Sequence, residues 1–86
     1  MGRLSLVIAD FDAEYIRNFG KYLIINYPGR FELTSFSSLQ ALHGFLDSPK
    51  SADIILVNSL MYDEKIGQYD RGLVLLLEEG SPGQAP

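Results

Sequence analysis

The chain contains no cysteine and no tryptophan, and only one histidine. Without cysteine there is no disulfide staple and no thiolate metal site. No apolar run approaches the roughly 18 to 20 residues that a membrane span needs. No basic segment leads into a signal-peptide core, because Asp10 and Asp12 interrupt the first apolar stretch at once. The seven cations, from Arg3 to Arg71, are scattered and never cluster. Neither a phosphate-backbone footprint nor a polybasic membrane patch can be built from them. A Gly-rich loop ending in Lys-Ser or Lys-Thr is also missing, which excludes that mode of nucleotide binding. What is present suits one globular domain: 86 residues, 47% hydrophobic, with a formal charge of −4. A cytoplasmic location is expected. At this size burial alone must hold the fold, with little margin.

Leu4 to Ala9 (LSLVIA) is short, apolar and rich in β-branched residues, as in a strand covered on both faces. Asp12 is placed to cap a helix, and Glu14 suits the positive end of its dipole. Ile16, Phe19, Leu23 and Tyr27 recur at helical spacing, with Gly20 and Ile24 near the same face, until Tyr27-Pro28-Gly29 stops the helix. Phe31 to Phe36 (FELTSF) alternates like an edge strand. Ser37-Ser-Leu-Gln40 reads as a capping box for a helix with Leu39, Leu42 and Leu46 on one face. Asp53 to Val57 (DIILV) is a central strand, Met61 to Asp70 holds two helical turns at most, and Gly72 to Leu77 (GLVLLL) is a fourth strand.

Strands separated by helices make parallel, right-handed βαβ units. The expectation is an α/β fold of the flavodoxin/CheY-like kind: an open parallel sheet of about four strands, order 2-1-3-4, with helices on both faces. The domain spans 1–79, and Gly80 to Pro86 reads as a linker or frayed tail. In such sheets sites form where the strand order reverses, at the carboxyl ends of the first and third strands. Asp10-Phe11-Asp12 and Asn58-Ser59-Leu60-Met61 must meet there.

VIADFDAEY after the first strand, DIILVNSLM around the third, and FELTSFSSLQAL between them resemble the receiver domain of bacterial response regulators, over roughly residues 4 to 78. The resemblance implies a phosphorylation site, and here that site is degenerate. Asp10 matches the first acid of the receiver's acidic pair, and Phe11 stands where the second belongs, with Asp12 one position on. Asn58 stands at the phosphoacceptor position. Tyr62 replaces the proline that follows the methionine. Leu77 or Glu78 falls where a hydroxyl residue is expected, and the strand carrying the receiver's lysine is absent from these residues. With its short third helix the chain is similar to the N-terminal receiver-like domain of TadZ/CpaE-type pilus-assembly proteins, which join it to a ParA/MinD-like ATPase.

These replacements have direct chemical consequences. An amide is not a nucleophile for acyl-phosphate formation. Magnesium prefers one or two carboxylates together with phosphate oxygens, so Asp10 and Asp12 alone make a weak site, and no cofactor is expected. Asp12 as helix cap and Asp10 as loop anchor is the preferred account of both acids. Asn58 also suits a strand-end turn. The resemblance therefore implies a pseudo-receiver, not an enzyme, acting on a protein partner or on itself as a homodimer, with no nucleic acid or membrane involved.

Two alternatives stand beside it. One is a functional two-component receiver. The other follows from Asp10-x-Asp12, which also resembles the haloacid-dehalogenase-type phosphatases, with Asn58-Ser59 like their second motif. Ala13 and the lack of a following lysine and late acidic pair count against the latter. His43 has no nucleophile placed beside it by any motif and reads as a surface or half-buried helix residue. Phe19, Phe36 and Phe45 read as core. The fourth strand is apolar on both faces yet last in the sheet, so something should cover it. The expected contact residues are Tyr62, Ile66, Tyr69, Leu73 and Leu75.

Overall fold

A computed structural model describes residues 2–77. The proposed tail, 80–86, and the last two residues of the proposed domain lie outside the described residues. Four strands, β1 (Leu4–Ala9), β2 (Phe31–Phe36), β3 (Ile54–Asn58) and β4 (Leu73–Leu77), form one sheet in the order β2-β1-β3-β4. Every neighbouring pair is parallel, with Leu6 opposite both Leu33 and Ile54, and Ile55 opposite Val74. The α/β class and the strand order expected from the sequence are both found.

The helices follow from their caps and stripes. Helix α1 (Ala13–Asn26) begins where the Asp12 carboxylate accepts from the backbone N–H groups of Glu14 and Tyr15. It ends at Tyr27, and Gly29 then takes a φ of 74°, a conformation glycine adopts without Cβ strain. Leu23 is its buried anchor, with Ile16, Phe19 and Gly20 half-buried. Ile24 departs from the expected face: it is exposed and lines a groove beside Phe31 and Leu33 of β2. Helix α2 (Leu39–Asp47) is capped by Ser38, whose hydroxyl accepts from the Ala41 N–H. The cap is thus one residue later than the Ser37…Gln40 box implies; Ser38 is the residue whose extended backbone lets its side chain reach back.

Two short helices follow β3: a 3-10 turn, Ser59–Met61, and α3 (Glu64–Gly67), capped by Asp63. The main core lies between the sheet and the α2/α3 layer. It comprises Val7, Ala9, Leu42, Ala52, Ile55, Val57, Met61 and Ile66, with Phe36 and Phe45 packed against it. On the opposite face Leu6 and Ile8 are buried, and Leu33 of β2 lies against Gly20 of α1.

Ile66 requires a correction. It was expected at a contact surface, but its side chain is 0% exposed and belongs to the core. A single helical turn capped by Asp63 folds it under α2, so no partner can reach it. Tyr69 is also largely structural: its hydroxyl accepts from the Ala52 N–H at 2.8 Å, and Arg71 lies over its ring. Tyr62, Leu73 and Leu75 are exposed. Tyr62 leans over Gly67 of α3, whereas Leu73 and Leu75 share the α1 face of the sheet with Ile54 and Leu56. The five residues therefore do not form one patch.

Candidate functional site

The parallel pairing of β1 with β3 brings Asp10 and Asn58 together, 48 residues apart in sequence. β1 buries its last four residues, and the Asp10 N–H donates to the Phe36 carbonyl at 3.1 Å, which extends the β1–β2 ladder one step. Asp10 is thereby held at the carboxyl end of the sheet. Asn58 is the last residue of β3 and caps the turn that follows, its Oδ1 accepting from the Leu60 N–H at 2.7 Å.

Both side chains are buried, at 7% exposure for Asp10 and 5% for Asn58. They are the two buried polar side chains of the described residues. Burial of that kind is tolerated only with full hydrogen bonding. Asn58 Nδ2 donates to Asp10 Oδ2 at 3.1 Å, and the Asp12 N–H donates to Asp10 Oδ1 at 2.8 Å. Each Asp10 oxygen therefore has a donor. The Asn58 amide works in both directions, donating to the acid and accepting from the turn. A carboxylate at this position could do only the second.

Asp12, the other acid of the motif, is exposed and turned to its cap. Phe11, between the two acids in sequence, is 52% exposed. The sequence thus brings Asp10 and Asn58 together as expected, and Asp12 takes the structural role preferred for it. Among the described residues no group of three or more His, Cys, Asp or Glu side chains is placed to hold a metal ion. With both Asp10 oxygens already accepting and one Asp12 oxygen engaged by α1, the arrangement is a closed hydrogen-bond lock.

One polar pair was missed in the sequence. His43 Nε2 and Asp63 Oδ2 are 2.8 Å apart, both half-buried, and tie α2 to α3. The signal for it was partial: Asp63 sits three residues before Ile66, as a cap does, but nothing in the order of residues relates it to His43 twenty positions earlier. The Asp63 carboxyl titrates below its ordinary value, chiefly because it accepts from the Ile66 N–H and also because of His43. A carboxyl depressed in the folded state contributes stability above its unfolded pKa and loses it as pH falls through the folded one. Asp63→Ala is therefore expected to lower stability by about 1 kcal/mol at neutral pH, through the lost cap. The difference from the parent should begin to shrink below about pH 4, as the unfolded carboxyl takes up its proton, and should reach its minimum only below the lower pKa of the folded state. Urea unfolding at several pH values measures this directly.

Compared with known proteins, the chain matches no family model, no curated protein and no solved structure. No helix of the described residues is long and apolar enough to cross a membrane. The fold and the lock itself are therefore the ground for a functional reading.

Proposed function

We propose that this chain is a pseudo-receiver: a non-phosphorylatable receiver-like domain that works by binding protein, either dimerising or targeting a larger protein such as a ParA/MinD-like ATPase. The observation that carries this reading is the Asn58–Asp10 lock. At the carboxyl end of the central strand, where a receiver would present an ionised oxygen for attack, the chain presents an amide whose two ends are occupied. Its neighbour Asp10 accepts from the Asp12 N–H on one oxygen and from that same amide on the other. Such a site has one state rather than two, and a binding surface supported on it is permanently displayed. The four-stranded parallel sheet, with its site at the strand-order reversal, agrees with the receiver resemblance.

Incubation with acetyl phosphate and magnesium, followed by intact-mass measurement, tests the proposal. The expected spectrum contains the unmodified chain alone. An added phosphoryl group on any residue overturns the reading in favour of a working receiver. Turnover of a generic phosphate monoester, lost in Asp10→Asn, overturns it in favour of a phosphatase.

A further inference from the structure

The two halves of the sheet are covered unequally on the α1 face. α1 lies over β1 and β2, where Leu6 and Ile8 are buried beneath it. Ile54 and Leu56 of β3 are only half-buried, and Leu73 and Leu75 of β4 are 55% and 43% exposed. Among the described residues the sheet is therefore a step: one half has a helix on it and the other half is bare.

The flank of α1 that looks over the bare half follows from helical spacing. Gly20 lies against Leu33 of β2, and Ile24 lines a groove with Phe31 and Leu33, so that flank faces β2. Tyr15 and Phe19, at i and i+4, begin the stripe on the other flank, and Tyr22 at i+7 ends it against the ring of Tyr27. Tyr15 and Phe19 stack with centroids 6.4 Å apart, and Tyr15 and Tyr22 are exposed. The polar residues nearest this stripe, Asn18 and Asn26, are uncharged. Floor and wall of the recess are thus apolar and free of charge.

The two edges of the sheet also differ. β2 exposes Glu32, Thr34 and Ser35, the charged and hydroxyl residues that discourage strand addition. β4 is LVLLL, with Leu76 on its opposite face 48% exposed as well. Residues 78–86, EEGSPGQAP, carry no aliphatic or aromatic side chain larger than alanine or proline. They supply no apolar segment to fill the recess.

We infer that the occupant is a second copy of this chain, docked about a two-fold axis so that the bare half-sheets face each other and each α1 flank packs on the other copy's β4 edge. The shape is self-complementary for a physical reason. A helix is about 10 Å across, and facing sheets pack about 10 Å apart, so a step of one helix height interlocks with its own two-fold mate. The interface is isologous and closes at two copies, unlike open strand addition. Half-exposed leucines and tyrosines, with the β4 edge, offer on the order of 600 Å² per copy, near the low end of specific interfaces.

The inference rests on the binding role proposed above and names its partner. Sedimentation equilibrium from about 5 to 500 μM tests it on the chain and three variants, with circular dichroism to verify folding. The chain is expected to pass from monomer to dimer, and no further. Leu75→Arg in the floor and Tyr15→Glu in the wall should each weaken the dimer at least tenfold, whereas Ile24→Lys on the β2 flank should leave it unchanged. A monomer throughout overturns the inference, as does a dimer insensitive to both Leu75→Arg and Tyr15→Glu or one abolished by Ile24→Lys. The phosphodonor experiment is independent of these outcomes: a monomer that takes no phosphoryl group removes the dimer and leaves the pseudo-receiver.

Discussion

Asn58→Asp is expected to destabilise the protein by about 2–4 kcal/mol at neutral pH in the absence of divalent cations. The substitution changes one atom type and almost no volume, so packing does not enter. It removes the donor to Asp10 Oδ2 and puts a second carboxylate oxygen about where that donor stands, 3.1 Å away. Two like charges at that distance in a buried site cannot both ionise without cost. Backbone bonding does not relieve the clash, because the Asp12 N–H already serves the other Asp10 oxygen and the Leu60 N–H serves residue 58 itself.

The pH dependence has a definite sign. The coupled pair in the variant has one pKa raised above its unfolded value, so the penalty is present above that raised pKa and is relieved as pH falls through it. Millimolar magnesium offers a second relief, since paired carboxylates are the ligands the parent site lacks. Thermal unfolding should show a drop of roughly 10–25 °C for a domain of this size, partly recovered at pH 5 or with magnesium. A variant as stable as the parent at pH 7 without cations would show that the amide is not what holds the two strand ends together. Recovery by magnesium would mean that one substitution is enough to create a cation site at these two strand ends.

Much of this site was legible in the sequence because topology alone determined it. LSLVIA and DIILV are too apolar to be anything but inner strands, whereas FELTSF alternates and belongs at an edge. Two inner strands joined by right-handed crossovers leave Asp10 and Asn58 at adjacent strand ends, whatever their side chains then do. The hydrogen bonds were not legible, because the way the Asn58 amide points depends on where the turn after β3 places the Leu60 N–H. Ile66 was misplaced for a related reason. Residues 61–70 have apolar side chains at 61, 62, 66 and 69, with no period long enough to distinguish a core residue from a surface one. A single turn such as α3 has no stripe; its orientation is imposed by its cap and by α2. His43 illustrates the same limit, since its partner comes from another element, twenty residues on.

Two glycines are expected to respond to alanine in opposite directions. Gly72 immediately precedes β4, and a Cβ there would collide with the backbone carbonyl of Ala52 and press on that of Asp53. Neither obstacle can rotate away. The Asp53 carbonyl accepts from the Leu73 N–H at 2.9 Å, and the Asp53 N–H donates to the Ser5 carbonyl at 2.9 Å, so the segment is pinned to β1 and β4 at once. Gly72→Ala must therefore shift the start of β4 away from β3, at a cost of about 3 kcal/mol. Gly44, inside α2, has open space where its Cβ would stand. Gly44→Ala there gains helix propensity and should stabilise by about 0.5–1 kcal/mol. Guanidinium unfolding of both variants measures the contrast, and hydrogen exchange locates it: Gly72→Ala should lose protection first along β4, while β1 and β3 keep theirs. Equal stabilities would mean that β4 is not held against β3 by the close approach at Gly72. Because β4 supplies both the edge and half the floor of the recess, the same substitution should weaken self-association even at temperatures where the monomer stays folded.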